Sequence, residues 1–344
     1  MKSERFKEAT YIDNKNIGYF LKEYYNLDLY HKKIIAAGGF GKLFKLTTKD
    51  EQVFALKSFY SEFHYAQTDP DERVSRRKSV IEEYVDNIHL NYNEYKNEFI
   101  VQLLNSKYGS PIARNSYLME YVCGENLQSL MTSGELYDSK QYTKEDLGII
   151  LLNYVQMLKK LHDKNYLFLD VDWNSVFYDE QNKKIIVTDI DSIASLDRIN
   201  KVKVESDPFV PGEKLIYRPW FIRFGKIQYK NGDIHKMYDE DETNLVTLTF
   251  NSELQSFALM ADTLLHGSTF MEHKFPKEGK LVNWLLGDFL CKGEIFGESI
   301  QYTRDRYKSI PKNLRILIRD MLQINPEQHT ADDFISAIKA DYKL

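Results

Sequence analysis

The sequence changes character once, between residues 122 and 126, and this limits the architecture more than any other feature of the 344-residue chain. Before that point apolar residues come in short runs: KIIAA at 33–37, KLFKL at 42–46, QVFALKSF at 52–59, then FIVQLL and SYLMEYV. Gly38-Gly39-Phe40-Gly41 and Thr47-Thr48-Lys49-Asp50-Glu51 interrupt the first three, as turns between antiparallel strands do. After that point the spacing becomes helical. Leu147, Ile150, Leu151, Tyr154, Val155, Leu158 and Leu161 form one stripe behind a capping box of Thr143 and Asp146. A buried helix is expected over 252–265, and two more over NLRILIRDMLQI and TADDFISAIKADY, the last capped by Thr330. Strands followed by helices predict an α+β chain.

Smaller features fill the outline. Residues 16–30 read as a short helix, and a polar stretch over 68–78 precedes a helix carrying Val80, Ile81, Tyr84, Val85 and Ile88. The stretch from 193 to 246 has no clean periodicity. A net charge of −5 gives no electrostatic signature of nucleic-acid binding. Two cysteines, Cys123 and Cys291, make no disulfide framework and fit a reducing compartment. The N-terminus lacks the apolar core of a signal peptide, and no run approaches membrane-spanning length. The expectation is a soluble, cytoplasmic protein that does not insert into membranes, with secretion as an effector left open. Abundant Asn, Lys, Tyr and Ile fit an AT-rich genome such as that of a bacterium or phage.

The stretch YLFLDVDWNSVFYDEQNKKIIVTDIDS, residues 166–192, reads as a hairpin of VFY and IIV. Asp170 lies just before the first run and Asp189 just after the second. Singly, each aspartate reads as a turn residue or helix cap. Two carboxylates at the open end of one hairpin suggest a bound metal ion, a proton acceptor, or both. Read alone, Gly-Gly-Phe-Gly is a simple turn. Lys57, in an otherwise apolar strand, changes that reading: glycines let backbone N–H groups approach phosphate oxygens, and a lysine adds a point charge.

Taken in order, these stretches resemble the eukaryotic-like protein kinase superfamily across about 33–340. Ala36-Ala37-Gly38-Gly39-Phe40-Gly41-Lys42-Leu43 is similar to the glycine-rich loop, with alanine at its first glycine. Phe54-Ala55-Leu56-Lys57 is similar to the strand of the phosphate-binding lysine, and Leu118-Met119-Glu120-Tyr121-Val122 to the hinge strand, with Met119 as gatekeeper. Leu161-His162 stands eight residues before Asp170, Asp189-Ile190-Asp191 stands where the family has Asp-Phe-Gly, and Glu253 stands fourteen before Gly267. Asn325-Pro326-Glu327-Gln328-His329-Thr330 resembles the segment before the last helix.

The resemblance implies a bilobal, kinase-like fold with a small antiparallel β-rich N-lobe holding one helix and a larger, mainly helical C-lobe. It divides the chain into an extension over 1–30, an N-lobe over 31–122 and a C-lobe over 123–344, the last with an atypical segment at 193–246. ATP is then bound by Gly38, Gly39, Gly41, Leu43, Ala55, Lys57, Met119, Glu120, Val122 and Phe177, with Glu83 holding Lys57. Asp170 is the implied base, and Asp189 the magnesium ligand with Ser175 or Asn174 beside it. The hairpin would present both acids to a cleft between lobes.

The departures matter as much. Ser175 falls on the family's metal-binding asparagine, with Asn174 one place early, and Asp172 stands where a phosphate-facing lysine is usual. Leu169 replaces the arginine that reads a phosphorylated activation loop, and Gln328 the arginine that pairs with an Ala-Pro-Glu acid not visible here. Three functions follow: an ATP- and magnesium-dependent kinase acting on a protein hydroxyl, serine or threonine first; a pseudokinase that binds nucleotide or scaffolds; and a small-molecule kinase of the aminoglycoside-phosphotransferase type.

Overall fold

In the computed structural model the described residues are 16–37, 41–60, 85–137, 141–168, 173–196, 227–230, 233–236, 250–266, 310–321 and 329–344. They make an α+β protein with a five-stranded antiparallel sheet and several helices. The chain divides into two compact units, Met1–Gly124 with Ile190–Ser192, and Glu125–Asp189 with Ile193–Leu344.

The first unit opens with helix α1 (Ile17–Tyr25), whose apolar residues at 17, 20, 21 and 24 repeat at helical spacing. It is shorter than the expected 16–30. Asn26 turns left-handed at φ 56° and ends it, a conformation asparagine tolerates better than most residues. Five strands follow: β1 (Leu29–Ala37), β2 (Gly41–Thr48), β3 (Val53–Phe59), β4 (Leu103–Leu104) and β5 (Ser116–Glu120). Their order is β1-β2-β3-β5-β4. Residues 85–95, between β3 and β4, are helical (α2).

Alternation along the strands separates two sheet faces. Phe44, Leu46, Leu56 and Leu118 share one and pack with Ile17, Phe20 and Leu21 of α1, all fully buried. Burying each of those helix side chains contributes on the order of 2 kcal/mol. Arg114 ties the helix to the strand-turn ahead of β5: its Nε donates to the Tyr24 hydroxyl at 2.7 Å and its Nη2 to Glu23 at 3.3 Å. The run FIVQLL is mostly not strand. Phe99 N–H donates to Asn97 Oδ1 at 3.0 Å and Gln102 Nε2 to the Ile100 carbonyl at 3.0 Å, so side chains take backbone groups that a ladder would use.

The second unit is built on α3 (Leu127–Ser133) and α4 (Lys144–His162). Short strands β6 (Tyr166–Phe168), β7 (Val176–Asp179), β8 (Lys184–Val187) and β9 (Ile193–Ser195) follow, then β10 (Ile227–Lys230) and β11 (Asp233–Lys236). Helices α5 (Phe250–His266), α6 (Lys312–Met321) and α7 (Ala331–Tyr342) complete it. Six of the seven stripe residues on α4 are fully buried, Leu147 being half-buried. Capping boxes form at Thr143–Asp146 and at Thr330–Asp333. Aromatic contacts knit the core: Phe257 of α5 stacks on Tyr154 at 5.8 Å and meets Phe334 of α7 edge-on at 5.3 Å. Gly148 sits where α7 crosses α4, and a Cβ there would lie 2.5 Å from the Tyr342 ring. Among the described residues no helix is long and apolar enough to cross a membrane.

Candidate functional site

The sheet face opposite α1 carries most of the residues that the sequence singled out in the first unit. Directly opposed residues of antiparallel strands point to the same side. Lys57 on β3 lies opposite Leu43 on β2 and Tyr117 on β5, and Ala55 lies opposite Met119. Leu43, Ala55, Lys57 and Met119 therefore share one face. Ala55 and Met119 are buried, while Leu43 is half-buried.

Lys57 does not stand alone there. Its Nζ donates to both carboxylate oxygens of Asp191, at 2.7 Å and 2.8 Å, across 134 residues of sequence. The Tyr117 hydroxyl donates to the same carboxylate at 3.0 Å. The lysine side chain is 19% exposed and the aspartate side chain 7%. Tyr117 is fully buried, with its ring 6.0 Å from that of Phe59. Asp191 occupies a single 3-10 turn, Ile190–Ser192, whose three residues are all buried. A carboxylate this far from water is tolerable only while paired and hydrogen-bonded. Neither Asp191 nor Tyr117 was expected in this role. The one available signal was an acid where the resemblance has glycine; Tyr117 stands out only through its register opposite Lys57.

The other expected nucleotide residues are distributed as follows. Gly41 starts β2, where a Cβ would collide with the Ser58 carbonyl oxygen, so close strand approach alone requires glycine there. Glu120 is exposed and holds Gln102 in both directions, its carboxylate accepting from Gln102 N–H at 3.2 Å and its own N–H donating to the Gln102 carbonyl at 3.1 Å. Val122 is half-buried beyond β5. Gly38, Gly39, Glu83, Asp170 and Asp172 lie outside the described residues.

In the second unit, VFY and IIV pair as β7 and β8, with Val176 opposite Val187 and Phe177 opposite Ile186. Thr188 extends the join: its N–H and Oγ1 both donate to the Ser175 carbonyl, at 2.9 Å and 3.1 Å. This fixes Ser175, buried, beside the residue that precedes Asp189. Asp189 and Phe177 are half-buried, and Asn174 is exposed within the 3-10 turn Trp173–Ser175.

No protein-family model matches this chain, and no curated protein does.

Two further carboxylates organise the second unit. Glu253 of α5 is buried and accepts from His162 Nε2, at the end of α4, and from Phe168 N–H on β6. Burial pushes its carboxyl above the usual range, opposed by the imidazole and the backbone donor. Asp146, the α4 capping acid, also accepts from the Tyr178 hydroxyl at 2.8 Å and from Lys183 Nζ at 2.5 Å, both on the hairpin. Burial pushes Asp146 up as well, but Lys183, Thr143 and Tyr178 outweigh it and hold the carboxyl well below the usual range. Among the described residues no three His, Cys, Asp or Glu side chains gather as a metal site.

Proposed function

We propose that the chain has the bilobal protein kinase-like fold and is an ATP-dependent phosphotransferase acting on a protein hydroxyl. The observation that carries this reading is Lys57, held by Asp191 on the sheet face that also presents Leu43, Ala55 and Met119. An apolar platform beside a fixed ammonium suits the two ends of a nucleotide, a flat base and an anionic phosphate tail. A second cluster supports the fold. His162, the strand leading towards Asp170, and Glu253 are distant in sequence yet meet through hydrogen bonds.

In the proposed chemistry Asp170 orients the acceptor hydroxyl and takes its proton, while Lys57 holds a phosphate oxygen. Magnesium fits the donors present, because a phosphate-bound ion needs only one or two carboxylates and takes its other oxygens from water and phosphate. Asp189 would supply the carboxylate, and Ser175 or Asn174 a neutral oxygen. Bound there, the ion would offset the phosphate charge.

One observation favours a second reading, a module that binds nucleotide or scaffolds without transfer. Both oxygens of Asp191 engage Lys57, an arrangement the family's glycine cannot make. Labelled ATP with magnesium or manganese and a generic protein acceptor separates the two. Transfer that disappears in Asp189→Ala supports the kinase. ATP-dependent thermal stabilisation without transfer supports the module, and transfer only to a free sugar or antibiotic supports a small-molecule kinase.

A further inference from the structure

We infer that Asp191 is a carboxylate that positions Lys57 for the nucleotide phosphates, with the Tyr117 hydroxyl fixing Asp191 in turn. The inference rests on the nucleotide reading and goes beyond it, because the resemblance gives Asp191 no such task. A lysine has a flexible four-carbon stem and loses much rotamer freedom when its head group is fixed. Here both carboxylate oxygens hold one ammonium, which restrains the head group at two points.

The support behind that carboxylate is rigid. Asp191 lies in a one-turn segment buried at every residue. Tyr117 reaches it from β5, directly opposite Lys57 in the sheet register, with its ring packed near Phe59. Lysine, acid and phenol are thus set by one sheet and one turn within a single compact unit. The lysine side chain is 19% open to solvent.

Electrostatics makes the inference decidable by sign. Removing a negative charge beside a phosphate site should tighten the binding of an anion. Releasing the lysine that meets the phosphate should loosen it. Positioning predicts the second. The probe is magnesium-ATP titrated into the 344-residue chain, with circular dichroism and a denaturant midpoint taken on each variant to show that it is folded.

Asp191→Asn is expected to weaken affinity about tenfold, the scale of one charge-assisted hydrogen bond. Tyr117→Phe should weaken it about threefold, having lost a neutral bond. Tighter binding by folded Asp191→Asn overturns the inference and makes the acid a lock on Lys57. Unchanged binding also overturns it and leaves a structural ion pair. Wild-type protein that binds no nucleotide overturns the underlying reading and the inference with it, an outcome visible before any variant is made.

Discussion

Asp191 in the first unit and Glu253 in the second are both buried carboxylates, yet they are satisfied in different ways. Asp191 meets the tip of a long, partly open lysine and a phenol. Glu253 meets an imidazole and a backbone N–H and is sealed on α5 against α4 and β6. A carboxylate that fastens backbone is a brace. One that holds a mobile cation at the edge of solvent controls where that cation points. The same physics therefore yields a fold-supporting cluster in one unit and a candidate binding cluster in the other.

Removing the brace should have the largest effect. Glu253→Ala strands the Phe168 N–H and the His162 ring and should lower stability by about 4 kcal/mol in a denaturant melt. A loss below about 1 kcal/mol would show that the buried network contributes little. Next in size is Lys57→Met, which leaves Asp191 buried and charged and should cost about 3 kcal/mol. Adding Asp191→Asn to it should recover most of that loss, with a coupling of about 2 kcal/mol in the double-mutant cycle. Additive single effects would mean the pair is not formed in solution.

Gly148→Ala tests the second unit alone. It forces a methyl group against Tyr342 and should cost about 2 kcal/mol by overpacking, while leaving nucleotide affinity untouched. Acid titration then separates carboxylates by sign. The Asp146 carboxyl is lower when folded than when unfolded, so its stabilisation is present above the ordinary carboxyl range and lost as pH falls. Glu253 is raised, so its contribution is present below the ordinary range and lost as pH rises through its folded value. Stability measured against pH should therefore fall less steeply on the acid side in Asp146→Asn, and more steeply there in Glu253→Gln. The smallest effect belongs to Lys159→Ala, whose 2.9 Å bond to Asp332 is exposed and should be worth about 0.5 kcal/mol or less.

Patterns local in sequence were legible. The α4 stripe, its capping box, the Thr330 cap and the β7–β8 hairpin depend on residues a few positions apart, where periodicity and side-chain chemistry act directly. Two local signals were missed. Asn26 ends α1 early, and the Asn231-Gly232 dipeptide, a strong hairpin signal, lies between β10 and β11 in a segment that read as featureless. What spacing could not reveal was long-range partnership. Lys57 stood out as a lone charge in an apolar strand, but its bond to Asp191 spans 134 residues and depends on how a sheet and a turn meet in space. Tyr117 looked like an ordinary strand aromatic until register put it opposite Lys57.

The central claim is that the Lys57 face of the first unit receives the phosphates of a nucleotide. Calorimetric titration of magnesium-ATP into the purified chain, beside Lys57→Met/Asp191→Asn, tests it most directly. The account predicts one saturable site in the wild type and none in the double variant, both remaining folded. Equal binding by the two proteins, or no heat from either, would contradict it.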